Sequence, residues 1–293
     1  MLQATTPDTH RQLTSHPPID YFKPSKTRYR SKGPALMSTP ATAITDAETP
    51  MTEEERFYFD LKGFILFPAV LSAEEIAPIK AQCEQHRTDR DALPPAQRKL
   101  PGGAASVLID HPAVLRVLHS IIDDDTEKLR CENCFLSYRE QNDGHRGWTP
   151  HAGGRSVNPN YSYQYHNGRI HAGMTRVVWE LNGVEKDKGG TAFVPGSHKS
   201  NFRPFPEYYD GRDTGVWESY GCPPGSLLIF SEAVRHSSCP WEQDDPRLAL
   251  FFCYNHINVR HHKPDFPPEM LDALSPKHRR FFNDVYHPQF DRR

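Results

Sequence analysis

The segment "WTPHAGGRS", residues 148–156, puts an imidazole at His151 and no side chain at Gly153. Neutral histidine is the commonest protein ligand for a metal ion, and a metal-binding histidine of this kind ordinarily has a carboxylate two positions on. None of the 16 histidines in the chain does. His145, His151, His166 and His171 each have glycine there instead. Two histidines and one carboxylate make the facial set that holds non-haem iron(II) and leaves its other positions open; a glycine leaves that set incomplete. A second histidine, His236, closes the run "PGSLLIFSEAVRH", and Arg247 opens the run "RLALFFCYN" beyond it. A planar guanidinium on a strand grips a carboxylate through two parallel hydrogen bonds, which lysine does less well.

These residues need a scaffold, and the pattern around them is of short strands. From residue 129 to 255 the runs LRCENCFLSYRE, TRVVWELNGV, GTAFVPGSH, GSLLIFSE and RLALFFCYN are separated by Gly- and Pro-rich turns. This density predicts a mainly β fold, a double-sheet jelly roll, with flanking helices. Before it, Thr52 with Glu55 and Ser72 with Glu75 are capping pairs that open two helices around the strand FILF. "HPAVLRVLHSII" repeats apolar residues at helical spacing. In the run RLALFFCYN the period of two puts Arg247, Ala249, Phe251, Cys253 and Asn255 on one face; Trp179 shares a face with Val177 and Leu181.

The segment "GGTAFVPGSHKSNF", residues 189–202, resembles the GG-x-x-x-VPGSHK turn of the phytanoyl-CoA dioxygenase family. Those proteins are iron(II)- and 2-oxoglutarate-dependent oxygenases on a double-stranded β-helix. The G-x-L-x-x-F strand, His236 after it and Arg247 resemble that family's distal iron ligand and keto-acid arginine. The resemblance spans roughly residues 52–260. It implies His151 and His236 as metal ligands, with His166 in "YHNGRIHAG" as the alternative to His151. It also implies Arg247 on 2-oxoglutarate, Trp179 packed by or bonded to the keto acid or else simply in the core, and O2 as co-reactant. In related halogenases the carboxylate is replaced by Ala or Gly and the vacated position takes chloride, so Gly153 points to a halide site and to chlorination of an unactivated carbon. Hydroxylation is the alternative, with water in the gap or a carboxylate such as Glu140 or Asp143 brought in from elsewhere. A relative that has lost iron and only binds is the third reading. Ser231 and Glu232 are positioned to orient groups around the metal.

Bulk properties narrow the partners. A net charge of -2 asks for no nucleic-acid polymer, no apolar run reaches the 18 or so residues of a membrane span, and 16 Phe, 12 Tyr and 4 Trp are enough for a sizeable core. The six cysteines are too scattered for a stapled secreted domain; the pair Cys131 and Cys134 is expected as two buried thiols, and the protein as cytoplasmic. Residues 1–50 are rich in Pro, Thr and Ser and are expected as a disordered tail, with Met37 or Met51 as alternative starts. Residues 51–293 then form a single jelly-roll domain with a C-terminal extension. Arg155, Arg169 and Arg176, with His166, lie in a polar aromatic stretch after His151, and Arg260 lies in "NVRHHKP". These basic residues suit a small, anionic, nucleotide-like substrate. The sequence leaves the oligomeric state open.

Overall fold

The computed structural model describes residues 49–144, 147–153, 161–202 and 214–287. The tail expected over residues 1–50 falls almost wholly outside them, as do His145 and Arg155. Helix α1 (Glu53–Lys62) starts at a reciprocal capping box between Thr52 and Glu55. It ends at Gly63, whose φ of 84° is the left-handed conformation that glycine supplies without strain. Strand β1 (Phe64–Phe67) follows, and α2 (Ala73–Thr88) opens on the second box, Ser72 with Glu75. Helix α3 (Pro112–Ile121) buries seven of its residues, as its apolar repeat requires.

The remaining strands are β2 (Leu129–Arg139), β3 (Gln164–His166), β4 (Arg169–His171), β5 (Thr175–Glu180), β6 (Thr191–Val194), β7 (Ser226–Ser231), β8 (Arg235–Ser238) and β9 (Arg247–His256). Five form one sheet in the order β1-β7-β5-β9-β2, every pairing antiparallel. A smaller layer pairs β6 with β8 and is widened by bridges from His151 to His236 and from Phe193 to Glu218. The layers meet through aromatic contacts, Phe193 against Phe64 and Phe230, and Phe230 against His236. This is the jelly roll expected from the strand density. Strand β8, four residues reading RHSS, has no apolar alternation and is defined by its partners. The stretch after His151 carries the β3–β4 hairpin, turned at Asn167 and Gly168, both with positive φ as a two-residue hairpin demands. Beyond β9 the C-terminal extension forms two short helices, α4 (Pro268–Ala273) and α5 (Pro276–Arg279).

Alternation along the strands assigns the faces of the large sheet. Val177 and Trp179 on β5, with Leu248, Leu250, Phe252 and Tyr254 on β9, share a core with α3 residues such as Val114 and Leu118. Tyr254 donates its hydroxyl to the Ile109 carbonyl at 2.6 Å, tying that face to the helical side. The opposite face, with Arg176, Val178 and Glu180 on β5 and Arg247 to Asn255 on β9, looks into the roll. No helix among the described residues is long and apolar enough to cross a membrane.

Candidate metal centre

His151 and His236 exchange both backbone hydrogen bonds, N to O at 3.0 and 3.1 Å. A directly opposed antiparallel pair projects both side chains to the same side, and the two rings lie 4.1 Å apart between centroids. Each Nδ1 contacts the backbone carbonyl two residues earlier, Thr149 for His151 and Val234 for His236, both at 2.8 Å. A carbonyl only accepts, so each Nδ1 carries a hydrogen, and it is Nε2 that a neutral ring would offer to a metal. Burial lowers the pKa of His236 to about 4, with the neighbouring His151 adding to the effect, so its ring is neutral at pH 7.

The third group is Glu232, in the turn from β7 to β8. Its amide bonds Met174 O at 2.8 Å, and Ser231 Oγ donates to Ala172 O at 2.6 Å, which pins the turn to the start of β5. Glu232 Oε2 lies 3.5 Å from His236 Nε2, and one donor atom each from His151, Glu232 and His236 falls within 4.8 Å of the others. Burial opposes ionisation of Glu232, but His236 and the Arg176 guanidinium outweigh it and hold the carboxyl below its ordinary value. Arg176 Nε donates to Oε1 of Glu232, and its Nη1 donates to Asn133 Oδ1 at 2.9 Å. Two imidazole lone pairs and a carboxylate therefore converge as acceptors. Their mutual repulsion is relieved by a cation, and the set of two neutral nitrogens and one carboxylate fits iron(II).

Gly153 has a cause of its own. Its φ is 83°, its amide bonds Ala233 O at 3.1 Å, and a Cβ there would lie 2.7 Å from Cβ of Arg235. The left-handed backbone and the Arg235 side chain disfavour any side chain at 153 whatever the metal position holds. The carboxylate missing two residues past His151 has its counterpart four residues before His236. Glu232 is the one acidic residue within five positions of either histidine, and that proximity was the available signal.

Other expected residues lie elsewhere. His166 sits on the exposed β3–β4 hairpin, away from the bridge that joins His151 to His236. Trp179 is fully buried on the helix-covered face, edge-on to His111 at 5.1 Å, so it is a core residue and does not face the roll. Arg247 does face it, but its guanidinium already holds a carboxylate: Nη2 and Nε lie 2.5 and 3.2 Å from the two oxygens of Glu180. Arg169 pairs with Asp124 at 3.2 Å and Arg260 with Asp284 at 3.5 Å, both exposed, so neither offers an anion a free charge. Glu140 bonds Tyr138, and Asp143 bonds Arg139. Two further clusters are structural. Glu132, the bulged residue of β2, accepts from Arg130, Asn255 and the His261 amide, and burial raises the nearby Cys253 thiol to about 12, so this group is satisfied without a metal. Cys131 and Cys134 are buried free thiols, and His198 bonds the Asp60 carbonyl at 3.0 Å as a turn residue.

A jelly roll with this acceptor set at one end of its interior has the layout of a non-haem iron(II)- and 2-oxoglutarate-dependent oxygenase. The chain belongs to the phytanoyl-CoA dioxygenase family, whose model matches residues 59–249. Crystal structures of HygX from Streptomyces hygroscopicus share the fold. The form with nickel and 2-oxoglutarate bound is 18% identical, with a TM-score of 0.61 over 72% of this chain and 89% of HygX. The form that also holds hygromycin B is 19% identical, with a TM-score of 0.59 over the same shares. The non-heme alpha ketoglutarate dependent carbocyclase SnoK from nogalamycin biosynthesis is 18% identical, with a TM-score of 0.51 over 80% of this chain and 94% of SnoK. At these identities the likeness is one of fold.

Proposed function

We propose that the protein is an iron(II)-dependent oxygenase that uses a 2-oxo acid and O2 to hydroxylate a small polar molecule, with His151, Glu232 and His236 as its metal ligands. The observation that carries this reading is the convergence of one ligand atom from each of the three residues within 4.8 Å, with both ring Nδ1 atoms already engaged by backbone carbonyls. Iron bound there supplies the activation of O2 at the positions the protein leaves open. The chain's own groups hold that reaction in place. The Thr149 and Val234 carbonyls fix the tautomer and aim of the two rings, and Arg176 fixes the carboxylate and keeps it ionised. Arg247, the arginine expected on the far end of the cosubstrate, holds Glu180 in this arrangement. A depression of about 380 Å³, lined by polar residues such as His166, His171 and Asn255 and by apolar ones such as Ile121 and Ile122, opens at the end of the sheet that carries Gly173, next to Met174. It is the candidate approach for a small polar substrate.

Chlorination has one observation in its favour, the contact between Glu232 and Arg176. A carboxylate that stayed on Arg176 would leave iron two protein ligands and a position for chloride beside Gly153. Metal titration of the purified protein and of Glu232→Ala, followed by product masses with and without chloride, tests both. Tight iron binding that needs Glu232, with a chloride-independent gain of oxygen, supports hydroxylation. A chlorine in the product, with iron binding indifferent to Glu232, supports the second reading. A protein that takes up no iron is a binding relative.

A further inference from the structure

The depression at the end of the large sheet shares a level with the metal centre. Arg176, Phe230 and Cys253 are register partners across β5, β7 and β9, and they face the interior of the roll. Two residues further toward the sheet end, the same alternation puts Met174, Glu232 and Asn255 on that face; the Glu232 amide bonds Met174 O at 2.8 Å, which keeps the row in step. Strand β5 stands between the other two, so Glu232 and Asn255 are two strand spacings apart, about 10 Å. Asn255, Gly173 and His171 are on the wall of the depression, so it opens within a small molecule's reach of the metal.

Asn255 is 1% exposed, and its amide has a fixed sense. Nδ2 donates to Glu132 Oε2 at 2.6 Å. Glu132, fully buried at the bulge of β2, takes Arg130 Nη1 at 3.2 Å and the His261 amide on its other oxygen, so it is an ionised acceptor and the Asn255 amide cannot turn over. With Nδ2 held on the β2 side, Oδ1 is the atom turned toward β5, and it accepts no hydrogen bond among the described residues. A nearly buried carbonyl oxygen without a donor costs free energy until something supplies one.

The charges around the depression are already matched. Asp123 sits 3.2 Å from Lys128 Nζ and 3.5 Å from His256 Nε2, and Arg169 on the adjoining hairpin pairs with Asp124. Burial first, and then Arg169, lower the pKa of His171, so its ring is neutral at pH 7. What the wall offers is an unpaired amide oxygen beside a neutral imidazole, which holds one donor and one acceptor. A hydroxyl matches that set because it donates and accepts at once, whereas an ammonium asks for an anion and a phosphate for a cation. The volume, about 380 Å³, is at the small end of small-molecule sites. Resting on the metal centre and the approach proposed above, we propose that the depression is a hydroxyl-binding subsite: it holds a neutral, polyhydroxylated ring of the substrate, with Asn255 Oδ1 accepting from one hydroxyl, while the reacting C–H of the same molecule lies at the metal. Asn255 is then a specificity-determining residue, and Glu132 positions it.

The test uses the full chain loaded with Zn(II), a diamagnetic stand-in for iron(II), and myo-inositol, a neutral ring with a hydroxyl on every carbon. Retained metal is measured first, after dialysis. Saturation-transfer NMR is then expected to show myo-inositol bound to wild type, undisturbed by equal concentrations of inorganic phosphate or methylammonium. The signal is expected to be lost in Asn255→Leu, and also in His171→Trp, which crowds the depression from an exposed position and leaves the core alone. With Mn(II) in place of Zn(II), the bound myo-inositol protons, about 10 Å from the metal, are expected to be broadened in wild type and not in the variants. No saturation transfer in wild type, transfer that persists in both variants, or displacement by phosphate or methylammonium each overturns the inference. Binding without broadening on a protein that holds Mn(II) also overturns it, because the depression would then not belong to the metal. Failure to retain either metal overturns the metal centre, and with it the assignment of the ring to a substrate; that outcome is distinct because metal content is read before the probe is added.

Discussion

Two carboxylate–arginine pairs stand on the inner face of one sheet, and they are built for different work. Glu180–Arg247 is sealed, with side-chain exposures of 0% and 4%, a bidentate fork and a tyrosine hydroxyl to satisfy it. Glu232–Arg176 is more open, 13% on each side, and its carboxylate has His236 Nε2 3.5 Å away and a ligand atom of His151 within 4.8 Å. The same residue types thus make a closed structural pair at one end and an unfinished coordination set at the other. The difference lies in what else points at the carboxylate: donors at Glu180, acceptors at Glu232.

Removing one member of the sealed pair gives the largest effect. Arg247→Ala leaves Glu180 buried and uncompensated, and denaturant unfolding is expected to show a loss of about 3–5 kcal/mol. Replacing both, Arg247→Met with Glu180→Leu, is expected to return stability to near the starting value, because the penalty belongs to the orphaned charge. A double variant as unstable as the single one would mean that the pair does more than satisfy itself.

At the open pair the same kind of truncation is expected to cost the fold less and to remove the metal. In Glu232→Ala, unfolding without metal is expected to cost about 1–2 kcal/mol, less than in Arg247→Ala, because the partner lost to Arg176 is offset in part by the relief of two acceptors that no longer face a third, and Arg176 keeps Asn133. Iron present at a hundred times its dissociation constant stabilises wild type by about 2.7 kcal/mol, and this increment is expected to vanish in the variant. Loss of stability comparable to that of Arg247→Ala, with the metal-induced increment intact, would reverse the roles assigned to the two pairs.

Gly153 tests whether the space beside the metal is set by backbone or by chemistry. Gly153→Ala forces a Cβ against Arg235 at a φ of 83°, and is expected to cost about 1–2 kcal/mol of stability from the left-handed backbone alone. Iron affinity is expected to change little, because the carboxylate comes from Glu232. A Gly153→Ala protein of unchanged stability that lost chloride-dependent activity would instead favour the halide site.

How much of this was legible in advance follows the range of the interactions. The boxes at Thr52 and Ser72 close within three residues, so both helix starts are readable from the sequence, and so are the five apolar strands. Strand β8 was not, because RHSS forms a strand only where β6 and the His151 segment flank it. Alternation put Arg247 on the right strand with the right face mates but said nothing of Glu180, which comes from β5. It grouped Trp179 with Val177 and Leu181, while the side on which the helices pack is a tertiary fact. The proposed ligand Glu232 was hidden by an expectation about spacing: a carboxylate was sought two residues after a histidine, and the candidate lies in a turn four residues before the other one.

The finest distinction concerns Arg176, which either orients Glu232 toward the metal or keeps it away. Arg176→Met separates these by sign. If the guanidinium orients the carboxylate, its loss weakens iron binding by about tenfold, the lower end of what outer-sphere partners contribute. If it sequesters the carboxylate, its loss frees Glu232 for the metal, so iron binds more tightly and chloride no longer affects the product. The first outcome is expected, because Arg176 Nε engages Oε1 while the Oε2 atom, 3.5 Å from His236 Nε2, is left facing the two rings. One oxygen on a guanidinium and the other turned to two imidazole lone pairs is the posture of a carboxylate held for monodentate ligation, and iron titration of the variant reads that posture directly.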